Sequence, residues 1–414
     1  MIHVKIYYYI YVQNDSLLMG NILDFIQEQG GKKYQFYKTA KMSIDVPPSD
    51  TISYDDRQPS LDKKGTFAET DHRRIPTVLI DQSLIKLSSP IFSLFLDGSR
   101  HVYKVDDIAI GRKVFPVLAG QIVVGCCERA GRDNFHKVKV NHRIVLALPE
   151  DFDIDNENRQ NNFCRSYCEK INVYLSHNRY FESANIKIDG ILLYKTDGFA
   201  KDDTSAGKDK YKSQGIAKIQ TSMTDEEQLL VAELCKNNKL DDEHFLIKDG
   251  SLEYTSRTNM ESTIQKELQI INYKHIVGVS KLFNPELLSD YNGHSLAKTI
   301  ASLKPYERTK VYRYHSEMIN ADTDYAVWYV RLRNSEFRET NFSDVVKCEM
   351  VLTKEGEKIE SDVIDLISAN IIKEAYPVCY GLDDRWANHL YPVYLTETFC
   401  SSHYLSNEII FKMF

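Results

Sequence analysis

No stretch of this 414-residue chain approaches 18 consecutive apolar residues, so no segment reads as a membrane-spanning helix. The apolar, tyrosine-rich run at residues 1–12 is too short to cross a bilayer and is not followed by a small-residue cleavage site; it reads as a strand. The eight cysteines are scattered. Only Cys164 and Cys168 approach zinc-ligand spacing, and no second pair matches them, so neither a disulfide framework nor a structural zinc site is indicated. Together these absences lead us to expect a soluble, cytoplasmic protein with reduced thiols. The formal net charge of −7 argues against a surface coated with basic residues for indiscriminate nucleic-acid binding. Glycine-rich phosphate loops are also missing.

The hydrophobic fraction of 43% and charged fraction of 27% are those of a globular protein with a substantial core. Residues 1–88 mix short apolar runs with a polar, turn-rich stretch at 47–70 that reads as an exposed loop. From Ile91 to Leu96 the chain is apolar apart from one serine, as in a strand buried on both faces, and it ends in Asp97-Gly98-Ser99-Arg100. Two further strands are expected at 102–110 and 113–127. Between residues 100 and 143 lie nine Lys or Arg against four acids, either solvated strand faces or a groove that tracks phosphates.

Residues 132–215 are less regular and are expected to be a β-rich insertion, with strands at 171–175 and 186–194 and a surface loop at 198–215. A helix is expected from Thr224 to Lys236, where Thr224 and Glu227 match a capping box. A short strand, 245–248, ends in a second Asp-Gly-Ser at 249–251. A helix near 259–271 and a strand at 275–279 follow, leading into Ser280-Lys281.

The order strand, meander, helix, strand, helix, strand points to an α/β fold with an RNase H-like mixed sheet flanked by helices. In that fold the first strand lies parallel to the strand after the first helix, which brings Asp97 and Asp249 together at one sheet edge. A divalent ion needs several hard oxygen ligands, so a third acid is expected. At 100° per residue from Met223, the apolar face of the 224–236 helix centres near about 20° and Glu227 lies near about 40°. Glu227 is therefore either the capping-box residue or a ligand, with Glu226 and Glu233 as substitutes.

Phe-Leu-Asp-Gly-Ser-Arg, a helix with an internal glutamate, Phe-Leu-Ile-Lys-Asp-Gly-Ser-Leu and Val-Gly-Val-Ser-Lys in succession resemble the NurA nuclease family. The resemblance covers roughly residues 90–130 and 220–410 and places a nuclease domain at 89–131 and 216–414, with 1–88 as an N-terminal extension. It implies a Mn2+- or Mg2+-dependent DNA nuclease, acting as a homodimer with a HerA-type hexameric ATPase translocase in DNA end processing, repair or antiphage defence. It implies Asp97 and Asp249 as the metal-binding aspartates and Lys281 as a contact to phosphate or to an active-site carboxylate; with Glu227 from the helix as the expected third metal ligand, these form the candidate site. The family's C-terminal histidine has no counterpart at the expected distance after Tyr376-Pro377 or Tyr391-Pro392, which leaves His403 or His389 as its replacement. Two rivals stand beside this reading, a non-catalytic subunit that grips DNA or a translocase, and an actin-like phosphotransferase.

Overall fold

The computed structural model describes residues 21–30, 33–44, 66–71, 73, 75–131, 134–152, 157–196, 207–252, 270–290, 292–316, 323–333, 340–354, 356–378 and 388–414. The strand expected at 1–12, most of the 47–70 loop and most of the 259–271 helix lie outside them.

In chain order the elements are α1 (Ile22–Gly30), β1 (Tyr34–Phe36), β2 (Met42–Ser43), β3 (Thr77–Leu79), α2 (Gln82–Leu87), β4 (Phe92–Ile110), β5 (Lys113–Arg129) and β6 (Phe135–Pro149). There follow α3 (Glu157–Ser176), α4 (Arg179–Ser183), β7 (Gly190–Tyr194), α5 (Gly207–Lys236), β8 (Phe245–Asp249) and β9 (Ile276–Ser280). The C-terminal part holds α6 (Ala297–Ala301), β10 (Glu307–Thr309), β11 (Tyr312–Ser316), β12 (Thr323–Arg331), β13 (Val345–Leu352), α7 (Ser361–Glu374), α8 (Tyr391–Ser401) and α9 (Asn407–Met413).

All thirteen described strands join one mixed sheet, ordered β3-β10-β12-β13-β9-β8-β4-β5-β6-β7, with β1 and β2 added on β4 and β11 on β12. Its centre has the order expected from the sequence. β4, β5 and β6 form an antiparallel meander. On the other side of β4 lie β8 and then β9, both in parallel register. The parallel pairs need crossovers, because a tight turn cannot join strands that run the same way.

Several local expectations change. β4 does not end at Asp97 but continues to Ile110, so the stretch expected as a second strand is the far half of the first. The third meander strand is β6, within the segment expected as an insertion. That segment supplies β6 and β7 to the main sheet, and residues 171–175 belong to α3, whose Ile171 and Leu175 bury one turn apart. The alternation that suggested a strand there is a helical stripe read over too short a window.

Helix α5 begins at Gly207, so 207–215 is helical rather than loop, and residues 198–206 lie outside the described set. Thr224 is therefore mid-helix, its hydroxyl donating to the Gln220 carbonyl at 3.2 Å, and the capping box does not form. Buried Ile219, Met223, Leu230, Val231 and Leu234 make the stripe that seats α5 on the sheet, against Leu94, Leu96, Leu118, Ile122 and Val124. Each such aliphatic side chain contributes on the order of 1.5–3 kcal/mol. The opposite face carries α7 and the start of α8, where Ile364, Ile367, Leu390 and Val393 pack on Phe95, Val277 and Val279.

Candidate active site

The sheet has two faces at the place where β8 ends beside β4. Side chains alternate along a strand, so neighbours in sequence reach opposite faces. Leu96 pairs with Lys248 in the parallel β4–β8 register, and Leu96 belongs to the cluster under α5. Asp97 and Asp249 come next on each strand and turn to the other face, beneath α8. Asp97 lies directly across from Gly125, and a Cβ on Gly125 would run into the Cys400 sulfur of α8. This absence of a side chain at Gly125 is what lets α8 sit so low on the sheet.

On the α8 face, Asp97 is 5% exposed. No side chain among the described residues donates a hydrogen bond to its carboxylate or pairs with it. Burial, and then the charge of Asp249, lift its carboxyl well above the ordinary range; Lys281 pulls the other way. Lys281, at the end of β9 and buried, places its Nζ 3.0 Å from Asp249 Oδ2 and 3.4 Å from Glu397 Oε2 on α8. Burial disfavours its charge, but Asp249, Glu397 and Asp97 outweigh that and raise the ammonium above the usual lysine value. The lysine is thus a fixed cation inside an acidic ring drawn from β4, β8 and α8.

On the α5 face, Glu227 and Lys248 form a second pair. The Lys248 Nζ lies 3.0 Å from Glu227 Oε2, and both residues are buried. Burial raises the Glu227 carboxyl above its usual value even though Lys248 opposes the shift. A Cβ on Gly98 would overlap the Glu227 carboxylate, so glycine is what admits a charged side chain against the strand. The third acid expected beside Asp97 and Asp249 is therefore held by a lysine of its own across the sheet. Of its substitutes, Glu226 pairs with Arg143 at 2.5 Å and Glu233 with Lys139.

The second Asp-Gly-Ser turn is pinned from beneath. Gly250 adopts φ +89°, a left-handed conformation suited to glycine, and its N–H donates to the Val279 carbonyl at 2.9 Å. Ser251 Oγ and the Leu252 N–H each donate to Glu349 Oε2 at 2.8 Å. Burial alone would raise the Glu349 carboxyl, but the adjacent buried Lys347 and these two donors hold it below the usual value.

The remaining candidates lie elsewhere. His403 follows α8 with its ring against Phe399 and its Nδ1 2.9 Å from the Phe399 carbonyl oxygen. It lies near His142. His389 is buried with its ring against Tyr394. Neither histidine is among the leading charges that act on Asp97. Much of the basic segment is also committed to protein contacts. Arg129 makes a bidentate pair with Glu374 at 2.7 and 2.6 Å, Lys104 meets Asp107 at 2.9 Å, and Lys139 and Arg143 hold the α5 glutamates. Arg129, Lys139 and Arg143 thus lace the sheet to its helices, while Lys104 is paired along β4.

Two site residues escaped the sequence reading. Lys248 stands inside Phe-Leu-Ile-Lys-Asp, where a period of two would have placed it on the face opposite Asp249. Glu397 lies four residues after buried Val393 and three before buried Cys400, which puts it on the sheet-facing side of α8.

Magnesium and manganese prefer hard oxygen ligands, and magnesium commonly takes only one or two carboxylates, with waters and substrate phosphate completing its shell. Among the described residues, no group of three or more His, Cys, Asp or Glu is placed to hold a metal ion. Two carboxylates on adjacent strands, one of them buried and without a side-chain partner among the described residues, fit such a hydrated ion. They do not fit a closed all-protein cage.

No known family model matches the chain, and no curated protein matches it. Among solved structures it is similar to the NurA nuclease from Sulfolobus solfataricus, with 9% identity over 74% of this chain and 78% of that one and a TM-score of 0.36.

Proposed function

We propose that this chain is a metal-dependent nuclease that hydrolyses phosphodiester bonds in DNA, with Asp97 and Asp249 holding a Mn2+ or Mg2+ ion. The observation that carries this reading is the meeting of the two aspartates from β4 and β8 on one face, with Asp97 buried and, among the described residues, without a side-chain partner. The bound ion would activate water and neutralise charge on the scissile phosphate. The protein's own part is to hold the two carboxylates in register, to set the Lys281 ammonium against Asp249, and to present that ammonium to an approaching phosphate. His403 takes no part in this account, and Glu227 serves the sheet through Lys248.

The sequence motifs that resemble the NurA family support DNA as the substrate. They also motivate a homodimer and a HerA-type ATPase translocase as partner, working in end processing or defence against phage. The test is cleavage of linear DNA with Mn2+ by purified Asp97→Asn and Asp249→Asn proteins. Each is expected to lose at least about a hundredfold in rate while keeping its fold by circular dichroism. Full activity in either variant refutes the assignment.

A further inference from the structure

This inference rests on the nuclease reading and concerns which side chain completes its site. An ion bound by two aspartates has coordination positions to spare, and the expected third acid, Glu227, faces the other side of the sheet with Lys248 at 3.0 Å. Glu397 descends onto the correct face. It comes within 3.4 Å of Lys281, which in turn is 3.0 Å from Asp249. Asp97, nine-tenths buried and unpartnered among the described residues, is directed into the same ring and feels the charge of Glu397 ahead of that of Glu227. Lys281 shows that this ring already holds one positive charge. The Glu397 side chain is also 34% exposed against 4% for Glu227, so it can reorient without opening the core.

We propose that Glu397 turns from Lys281 to become the third carboxylate of the Asp97–Asp249 site when a divalent ion binds, taking a position on the ion directly or through a water, in place of Glu227. Helix α8 thereby closes the site from above, and the ligands come from β4, β8 and α8 rather than from β4, β8 and α5.

The test is Mn2+ binding to the full chain without DNA, read from the electron paramagnetic resonance of free Mn2+. Glu397→Gln is expected to weaken binding at least about tenfold. Glu227→Gln combined with Lys248→Met removes the opposite pair together, stranding no buried charge, and is expected to bind within about twofold of the unaltered protein. Unaltered affinity in Glu397→Gln, or a loss in the double variant as large as that in Asp97→Asn, overturns the proposal. Asp97→Asn separates the two levels of the argument: if it abolishes binding while Glu397→Gln does not, only the role of Glu397 falls. If Asp97→Asn binds Mn2+ normally, the two-aspartate site falls as well.

Discussion

Asp97 is a carboxylate almost wholly buried and, among the described residues, given no side-chain hydrogen-bond donor, which is a destabilising arrangement in the metal-free protein. Its folded value is raised, so the penalty is absent below its ordinary range, grows as pH rises through that range, and is complete above the folded value. Asparagine at this position removes the charge and hence the penalty. In the presence of a chelator, Asp97→Asn should melt higher than the unaltered protein by about 2 °C or more at pH 8, with the gap closing towards acid pH. An unchanged or lower Tm at pH 8 contradicts the burial argument. The two aspartates could be read from the sequence because acids stand out at the ends of apolar runs. Lys248 and Glu397 were equally visible as residues. What hid them was the question of which face each side chain reaches, and that depends on strand register and on where α8 lands.

Element by element, legibility follows how local the cause is. β8 and β9 are short apolar runs whose bounds the sequence shows within a residue or so, and the parallel β4–β8 pairing follows from their connection. The length of β4 was hidden because Asp-Gly-Ser normally ends a strand, whereas here the strand runs through it, with Gly98 spared a clash with Glu227. The start of α5 was hidden because its first turns are polar and contribute little to the buried stripe. The turn after β8 depends on Glu349, a distant residue on β13. Glu349 has a depressed folded value, so its contribution is present above its ordinary value of 4.5 and is lost as pH falls through the folded one. Glu349→Gln should cost about 3–5 kcal/mol at pH 7, because it strands Lys347, and the deficit should shrink in acid. Urea unfolding at pH 7 and pH 4 measures this; equal deficits at both values exclude the charge as the cause.

Across the whole molecule, one continuous sheet separates two charged centres that lie back to back. Glu227 with Lys248 is self-neutralised under α5, while Asp97, Asp249 and Glu397 outnumber Lys281 under α8. The second centre sets three carboxylates against one ammonium, and it is the one we propose to hold the divalent ion. No described helix is long and apolar enough to cross a membrane. The measurement that bears most directly on the account is anomalous diffraction from crystals soaked in Mn2+. A manganese peak within coordinating reach of both Asp97 and Asp249, on the α8 side of the sheet, is the result expected. A peak on the α5 side at Glu227, or none near either aspartate at saturating Mn2+, would contradict it.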